Sequence, residues 1–187
     1  MNILIVGVGG QGTLLASRIL GTLAQNLGMD VKVSEVHGMS QRGGSVVTYV
    51  RMGEAVHSPL IECVEADAML AFEELEALRY AHMVRPGGSI IVNTQRMAPI
   101  SVAAGKAAYP ADVLERLGQY DCRLVPVDAL SLAEEAGSSK AVNIVLMGRL
   151  SHYFHLPEEA WMKSLEAMVP PKFLELNKRA FALGRNA

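Results

Sequence analysis

The sequence has few of the residues that metal, cluster and disulfide sites require. Its 187 residues include only two cysteines, Cys63 and Cys122, which cannot build a disulfide framework. An iron–sulfur cluster needs about four thiolates and is excluded as well. The histidines show no spacing with carboxylates or thiols that predicts a metal site. We therefore expect no metal in this chain, and two buried thiols in a reducing cytoplasm.

The sequence also lacks a basic excess and long apolar runs. Lys and Arg number 17 against 19 Asp and Glu, so the chain does not show the positive charge of a typical nucleic-acid binder. No run approaches the ~18–20 apolar residues of a membrane helix, and the apolar N-terminus lacks the basic region of a signal peptide. Hydrophobic residues make up 50% of the chain, with a mean hydropathy of +0.23. These values exclude a disordered chain and favour a surface buried against another subunit.

Alternating strand and helix patterns predict a single α/β domain over residues 1–187. The predicted fold is a Rossmann-like doubly wound sheet that is mostly parallel with one antiparallel strand. The strands are predicted at 2–6, 31–36, 45–52, 68–72, 89–92 and 123–127, and the main helices at 13–27, 73–83, 111–117, 129–136 and 141–154. Two more helices are predicted between 157 and 184, a turn at 85–88 and an irregular segment at 94–110. Glu73, Glu74 and Glu76 are predicted to form a solvated helix face.

A glycine-rich segment joins the first predicted strand to the first helix. Its sequence, Gly7-Val8-Gly9-Gly10-Gln11-Gly12, is a G-x-G-x-x-G pattern in the context that dinucleotide-binding sites require. In that pattern Gly7 permits a tight turn, Gly9 lets a ligand approach the backbone, and Gly12 lets helix and strand pack closely. Free amides at the start of the helix would point at an anionic group.

Two nearby residues leave the ligand of this turn open. Glu35, near the end of the second strand, lies about where a dinucleotide-binding domain has its ribose-binding acid, which favours a stand-alone NAD(P)-binding oxidoreductase. A structural turn without ligand is the alternative. Gln11 is predicted to hydrogen-bond a ligand or partner through both the donor and the acceptor of its amide.

A second polar loop, His37-Gly38-Met39-Ser40-Gln41-Arg42-Gly43-Gly44, follows the second strand. It is too short for a helical crossover, so the strands on either side are predicted to be antiparallel neighbours. Arg42 offers a planar fork for phosphate or carboxylate, His37 a proton or a hydrogen bond, and Gly43 and Gly44 room for a foreign surface. Both loops are predicted to leave the carboxyl ends of adjacent strands and to meet at one edge.

These two motifs, in this order and at this spacing, resemble the gamma subunits or domains of 2-oxoacid:ferredoxin oxidoreductases. The most similar type is the beta subunit of indolepyruvate ferredoxin oxidoreductase, and the resemblance covers nearly the whole chain. It implies that Gly7, Gly9, Gly10, Gln11, Gly12, His37, Ser40, Gln41, Arg42, Gly43 and Gly44 face a ligand or the partner. A regulatory or interaction module on the same fold remains a further alternative.

The resemblance also implies how the work is divided within a complex. Such complexes convert a 2-oxoacid and coenzyme A to acyl-CoA and carbon dioxide and pass electrons to ferredoxin. This chain lacks the Gly-Asp-Gly and downstream Asn-Asn motif of thiamine diphosphate sites. The resemblance therefore implies thiamine diphosphate and 4Fe-4S clusters on a larger alpha subunit, with no catalytic residue or cofactor on this chain alone. The isolated chain is expected to be capable of self-association, and no nucleic acid or membrane is expected as a partner.

Overall fold

Six strands form one sheet within residues 1–38 and 43–187, which are the residues that the computed structural model describes. The strands are β1 (Asn2–Val8), β2 (Asp30–His37), β3 (Ser45–Gly53), β4 (Ala66–Ala71), β5 (Val84–Asn93) and β6 (Cys122–Val127). The helices are α1 (Thr13–Asn26), α2 (Glu74–Tyr80), α3 (Ile100–Ala103), α4 (Val113–Leu117), α5 (Ala129–Ala136), α6 (Val142–Tyr153), α7 (Glu158–Met168) and α8 (Leu174–Asn186). This α/β architecture confirms the predicted fold class.

The sheet has the order β2-β3-β1-β4-β5-β6, and β3 runs against both of its neighbours. Strands β1, β4, β5 and β6 are parallel. The prediction that β2 and β3 are antiparallel neighbours is therefore confirmed. The prediction that the two loops leave adjacent strands is wrong, because β3 lies between β1 and β2. Since β1 and β2 still run in the same direction, both end at one edge of the sheet, which we call the carboxyl edge and which Val8 and Asn93 mark.

Each face of the sheet carries its own apolar layer, because successive strand residues point to opposite sides. Ile3 and Ile5 of β1 pack with α1 and α6 on one face, and Leu4 and Val6 pack with residues of α2 and α4 on the other. Helix α6 is buried along most of its length, as its apolar sequence predicts. It packs closely on α8, where a Cβ on Gly148 would overlap the backbone of α8.

Two local predictions differ from the structure. Residues 85–88 lie within β5 and do not form a turn between a helix and a strand, although Gly87 keeps a positive φ of 72°. The helix predicted at 73–83 ends at Tyr80 and continues only as a short 3-10 turn over Ala81–Met83. Across the described ranges, every helix is too short or too polar to cross a membrane.

Candidate functional site

The glycine turn at the carboxyl edge leaves the start of α1 open. Gly12 is the N-cap residue with a left-handed φ of 89°, and no side chain caps the helix. No acidic residue occupies the first turn of α1. The backbone amides of Gly10 and Gly12 donate to no acceptor among the residues that the structure describes. These amides and the positive end of the helix dipole can receive an anionic group.

Gly7 and Gly12 have different roles from those predicted. Gly7 lies inside β1, and a Cβ there would come within 2.9 Å of Gln11 Oε1 and 3.0 Å of Phe72 Cβ. The lack of a side chain at Gly7 therefore makes room for Gln11, and Gly7 does not form a tight turn. A Cβ on Gly12 would lie 2.7 Å from Asn143 Nδ2, so this glycine allows close packing on α6 and not on a strand.

The Gln11 side chain is occupied within the chain. Its Oε1 accepts a hydrogen bond of 2.7 Å from Val8 N, and its Nε2 donates one of 3.1 Å to Phe72 O. Each amide group keeps a second lone pair or N–H, so the predicted contact with a ligand or partner stays a prediction. Gln11 ties the end of β1 to the residue that follows β4, which stabilises the shape of the turn.

The second loop reaches the glycine turn through its last two residues. Gly9 N donates to Gly44 O at 2.8 Å, and Gly43 N donates to Gly9 O at 3.4 Å. His37, at the start of the loop, is exposed, and its Nδ1 lies 3.0 Å from Gly38 O. Ser40, Gln41 and Arg42 lie outside the described residues, so their predicted positions are not tested.

Glu35 lies too far along the sheet to act with the glycine turn as in a dinucleotide site. It is exposed on β2, with β3 between it and β1. Its Oε2 accepts a hydrogen bond of 3.2 Å from Thr48 Oγ1. A dinucleotide domain places the strand with its ribose-binding acid beside the strand that enters the turn. The inserted β3 therefore removes that geometry.

A cavity of about 590 Å³ opens beside the glycine turn. Of its described lining residues, Lys140 is the one that carries a charge, and it is exposed. Helix α6 also begins here, directly after a 3-10 turn over Ser139–Ala141 that the Ser138 side chain caps. The lining residues are Gly10, Gln11, Gly12, Gln95, Leu130, Ser139, Lys140, Val142 and Asn143. A cation and the open start of α1 make this cavity suited to a carboxylate or phosphate.

Asn143 lines both this cavity and an apolar one of about 380 Å³. Asn143 is only 6% exposed, and its Nδ2 donates to no acceptor within the described part of the chain. An amide donor at the cavity lining can bind an acceptor atom of a ligand. The sequence analysis missed Lys140 and Asn143, because it treated Gly137-Ser138-Ser139 only as a break before α6 and assigned no role to the helix start.

The three glutamates at the start of α2 are buried, so the predicted solvated face is wrong. Glu73, Glu74 and Glu76 are 1%, 2% and 4% exposed. Glu74 pairs with Arg96 Nε at 2.7 Å. The segment between β5 and α4 reaches these carboxylates through such side chains, and this long-range contact leaves no signal in the local sequence of α2.

Glu73 and Glu76 accept several hydrogen bonds. Glu73 caps α2 by accepting from Glu76 N at 2.9 Å, and its other oxygen accepts from Tyr109 Oη. Glu76 accepts from Ser45 Oγ and lies 3.2 Å from Arg79 Nε. Burial raises the pKa of the Glu76 carboxyl, while Ser45 and Arg79 act in the opposite direction. Burial and the hydrogen bond to Glu73 raise the pKa of Tyr109.

The thiols of this chain do not fit an iron–sulfur cluster. Cys63 is exposed and Cys122 is half-buried, so the prediction of two buried thiols is wrong. Two thiols fall short of the four that a cluster needs. Within residues 1–38 and 43–187, no group of three or more His, Cys, Asp or Glu side chains is arranged to hold a metal ion.

Sequence comparison identifies relatives of the whole chain. The family model of pyruvate ferredoxin/flavodoxin oxidoreductase matches residues 2–187. The chain is 44% identical to indolepyruvate oxidoreductase subunit IorB of Thermococcus kodakarensis, covering 100% of this chain and 95% of the relative. It is 41% identical to the subunit of the same name from Archaeoglobus fulgidus, covering 100% and 94%.

Solved structures share the fold at lower identity. The gamma subunit of a keto/oxoacid ferredoxin oxidoreductase from Geobacter sulfurreducens has a TM-score of 0.74 and 24% identity, with 99% of this chain and 96% of that chain covered. A 2-oxoglutarate:ferredoxin oxidoreductase from Magnetococcus marinus has a TM-score of 0.75 and 18% identity, and the match covers 100% of this chain but 30% of that one. From the full-length family match and the identities above 40%, the chain belongs to the pyruvate ferredoxin/flavodoxin oxidoreductase family.

Proposed function

We propose that this chain is the small subunit of an indolepyruvate:ferredoxin oxidoreductase. The complex would convert an aryl 2-oxoacid and coenzyme A to acyl-CoA and carbon dioxide and pass the electrons to ferredoxin. The observation that carries this proposal is the 44% identity to a subunit of indolepyruvate oxidoreductase over the full length of this chain. The match of this fold to 30% of a longer oxidoreductase chain supports a role as one part of a larger enzyme.

The residues of this chain support a division of labour with a larger alpha subunit. The sequence contains no thiamine diphosphate motif and only two cysteines. Thiamine diphosphate, which would stabilise the carbanion formed on decarboxylation, and the iron–sulfur clusters would therefore be held by the alpha subunit. This chain would contribute no redox centre, and we expect it to be inactive alone.

The carboxyl edge is the surface that we assign to the active site of the complex. The open amides of Gly10 and Gly12 and the Lys140 ammonium offer donors and positive charge to the carboxylate of a 2-oxoacid or the phosphates of coenzyme A. The Asn143 amide adds a neutral donor to the lining of the cavity. In this role the small subunit positions substrate and excludes water while the partner carries the reacting centre.

Reconstitution with the alpha subunit tests the proposal. Each chain would be purified alone and together, and indolepyruvate-dependent reduction of ferredoxin would be measured with and without coenzyme A. We expect a stable complex, and activity only when both chains and coenzyme A are present. Pyruvate and 2-oxoglutarate serve as control substrates. A small chain that ignores the alpha subunit, or a complex that does not oxidise indolepyruvate, would contradict the proposal.

A further inference from the structure

A partly buried hydrogen bond links the start of β3 to helix α2. Ser45, the first residue of β3, donates its hydroxyl to Glu76 Oε2. The other carboxylate oxygen of Glu76 lies 3.2 Å from Arg79 Nε, and the residue is 4% exposed. Burying a carboxylate is costly unless its partners are well placed. Its two partners hold Glu76 in one orientation, and Ser45 is the one of the two that lies outside α2.

Glu76 is not needed to cap its own helix. Glu73 is the N-cap residue of α2 and accepts from the Glu76 backbone amide. Glu73 is itself held by Tyr109 Oη and by Met97 N, the latter at 3.0 Å. The N-terminus of α2 is therefore capped without the Glu76 side chain. Because the Glu76 carboxylate does not cap α2, its hydrogen bond to Ser45 points to a role outside this helix.

Ser45 lies directly behind the contact between the two loops. It is paired with Val8 across β1 and β3, one residue before Gly9 in the glycine turn. The residue on its other side, Gly44, accepts the 2.8 Å hydrogen bond from Gly9 N. A shift of Ser45 would therefore move the Gly44 carbonyl and loosen Gly9, which directly precedes the open amide of Gly10.

We propose that Ser45 and Glu76 are positioning residues that hold the glycine turn in its active geometry through the Gly44–Gly9 hydrogen bond. They act through the turn and do not touch the substrate. This inference rests on the proposed function, because the turn is taken to face the substrate of the complex. Displacement of a binding group by about 1 Å can cost on the order of 100-fold in rate, so a small movement of the turn is enough to matter.

Serine variants separate positioning from stability. Ser45→Ala removes the hydroxyl, Ser45→Thr keeps it and suits a strand, and Glu76→Gln removes the charge at nearly constant shape. Ser151→Ala is the matched control, because Ser151 is 1% exposed and its hydroxyl bonds Gly148 O and Arg185 Nη1 near the opposite end of α6. The reconstituted complex would be assayed for kcat and for the KM of each substrate, beside a thermal melt of each variant.

We expect Ser45→Ala and Glu76→Gln to lower kcat/KM by about 10-fold to 100-fold, and Ser45→Thr to keep most of the wild-type value. Ser151→Ala should lower Tm with kcat/KM unchanged.

Hydrogen exchange at residues 7–12 of the isolated chain gives a second readout that needs no activity, and we expect Ser45→Ala to speed this exchange. Exchange and kcat/KM that equal the wild-type values in Ser45→Ala would overturn the inference. An inactive wild-type complex with faster exchange in Ser45→Ala would instead overturn the proposed function and leave the positioning role of Ser45 supported.

Discussion

The backbone amide of Gly9 donates a 2.8 Å hydrogen bond to the carbonyl oxygen of Gly44, and this bond joins the two sequence motifs of the chain. The motifs leave strands that are not neighbours, because β3 separates β1 from β2. The contact arises because Gly44 immediately precedes β3, which itself pairs with β1. The insertion of β3 therefore does two things: it brings the second motif to the glycine turn, and it moves Glu35 away from it.

The position of β3 predicts weak binding of nicotinamide dinucleotides. The acid that would hold a ribose is one strand further from the turn than a dinucleotide site requires. We expect NAD(H) and NADP(H) to bind the isolated chain no more tightly than about 1 mM, or roughly −4 kcal/mol. Isothermal titration calorimetry measures this directly. Micromolar binding would revive the stand-alone oxidoreductase as the function of this chain.

Lys140 is expected to bind an anionic group of the substrate or cosubstrate. It is the charged residue in the described lining of the carboxyl-edge cavity. A hydrogen bond to a charged group is worth about 1.5–3 kcal/mol, so Lys140→Ala should lower kcat/KM of the complex by roughly 10-fold to 150-fold. The effect should weaken with rising salt. Lys106→Ala, at an exposed lysine of the loop after α3, is the control, and equal kinetics in the two variants would refute the role of Lys140.

Arg42 is expected to pair with a carboxylate or phosphate, on the grounds of its residue type and its place in the second motif. Arg42→Ala should lower kcat/KM of the complex by about 10-fold to 150-fold. Arg42→Lys should recover only part of this loss, because an ammonium lacks the bidentate fork. Arg116→Ala, at an exposed arginine of α4, controls for lost surface charge. Steady-state kinetics and a thermal melt decide the matter, and unchanged turnover in a well-assembled Arg42→Ala complex would contradict the expectation.

The raised pKa of Glu76 predicts that the free energy of unfolding depends on pH. Its folded-state pKa is raised above the ordinary value of 4.5, chiefly by burial. The folded chain therefore holds a proton that the unfolded chain releases, and this contribution to stability is lost as pH rises from about 4.5 through the raised pKa. Glu76→Gln cannot titrate, so its melting temperature should fall less over this range. If the melting temperatures of wild type and Glu76→Gln changed equally from acid to neutral pH, this burial effect would be ruled out.

Local sequence patterns predicted the elements better than the contacts between them. Apolar spacing located α1, α5 and α6, and the short loop after His37 predicted an antiparallel pair. The burial of Glu73 and Glu76 could not be predicted, because it depends on Tyr109 and Ser45, which lie more than 30 residues away in each case. The role of Lys140 was missed for a similar reason, since its significance depends on the meeting of the starts of α1 and α6.

The central claim is that the carboxyl edge faces the active site in the alpha subunit, and hydrogen–deuterium exchange tests it most directly. The open amides of Gly10 and Gly12 should exchange quickly in the isolated chain. On addition of the alpha subunit, we expect exchange at residues 8–14 and 137–143 to slow strongly. Residues 118–123, near the start of β6 at the opposite edge, serve as the internal control. Protection of residues 118–123, with residues 8–14 unchanged, would contradict the account.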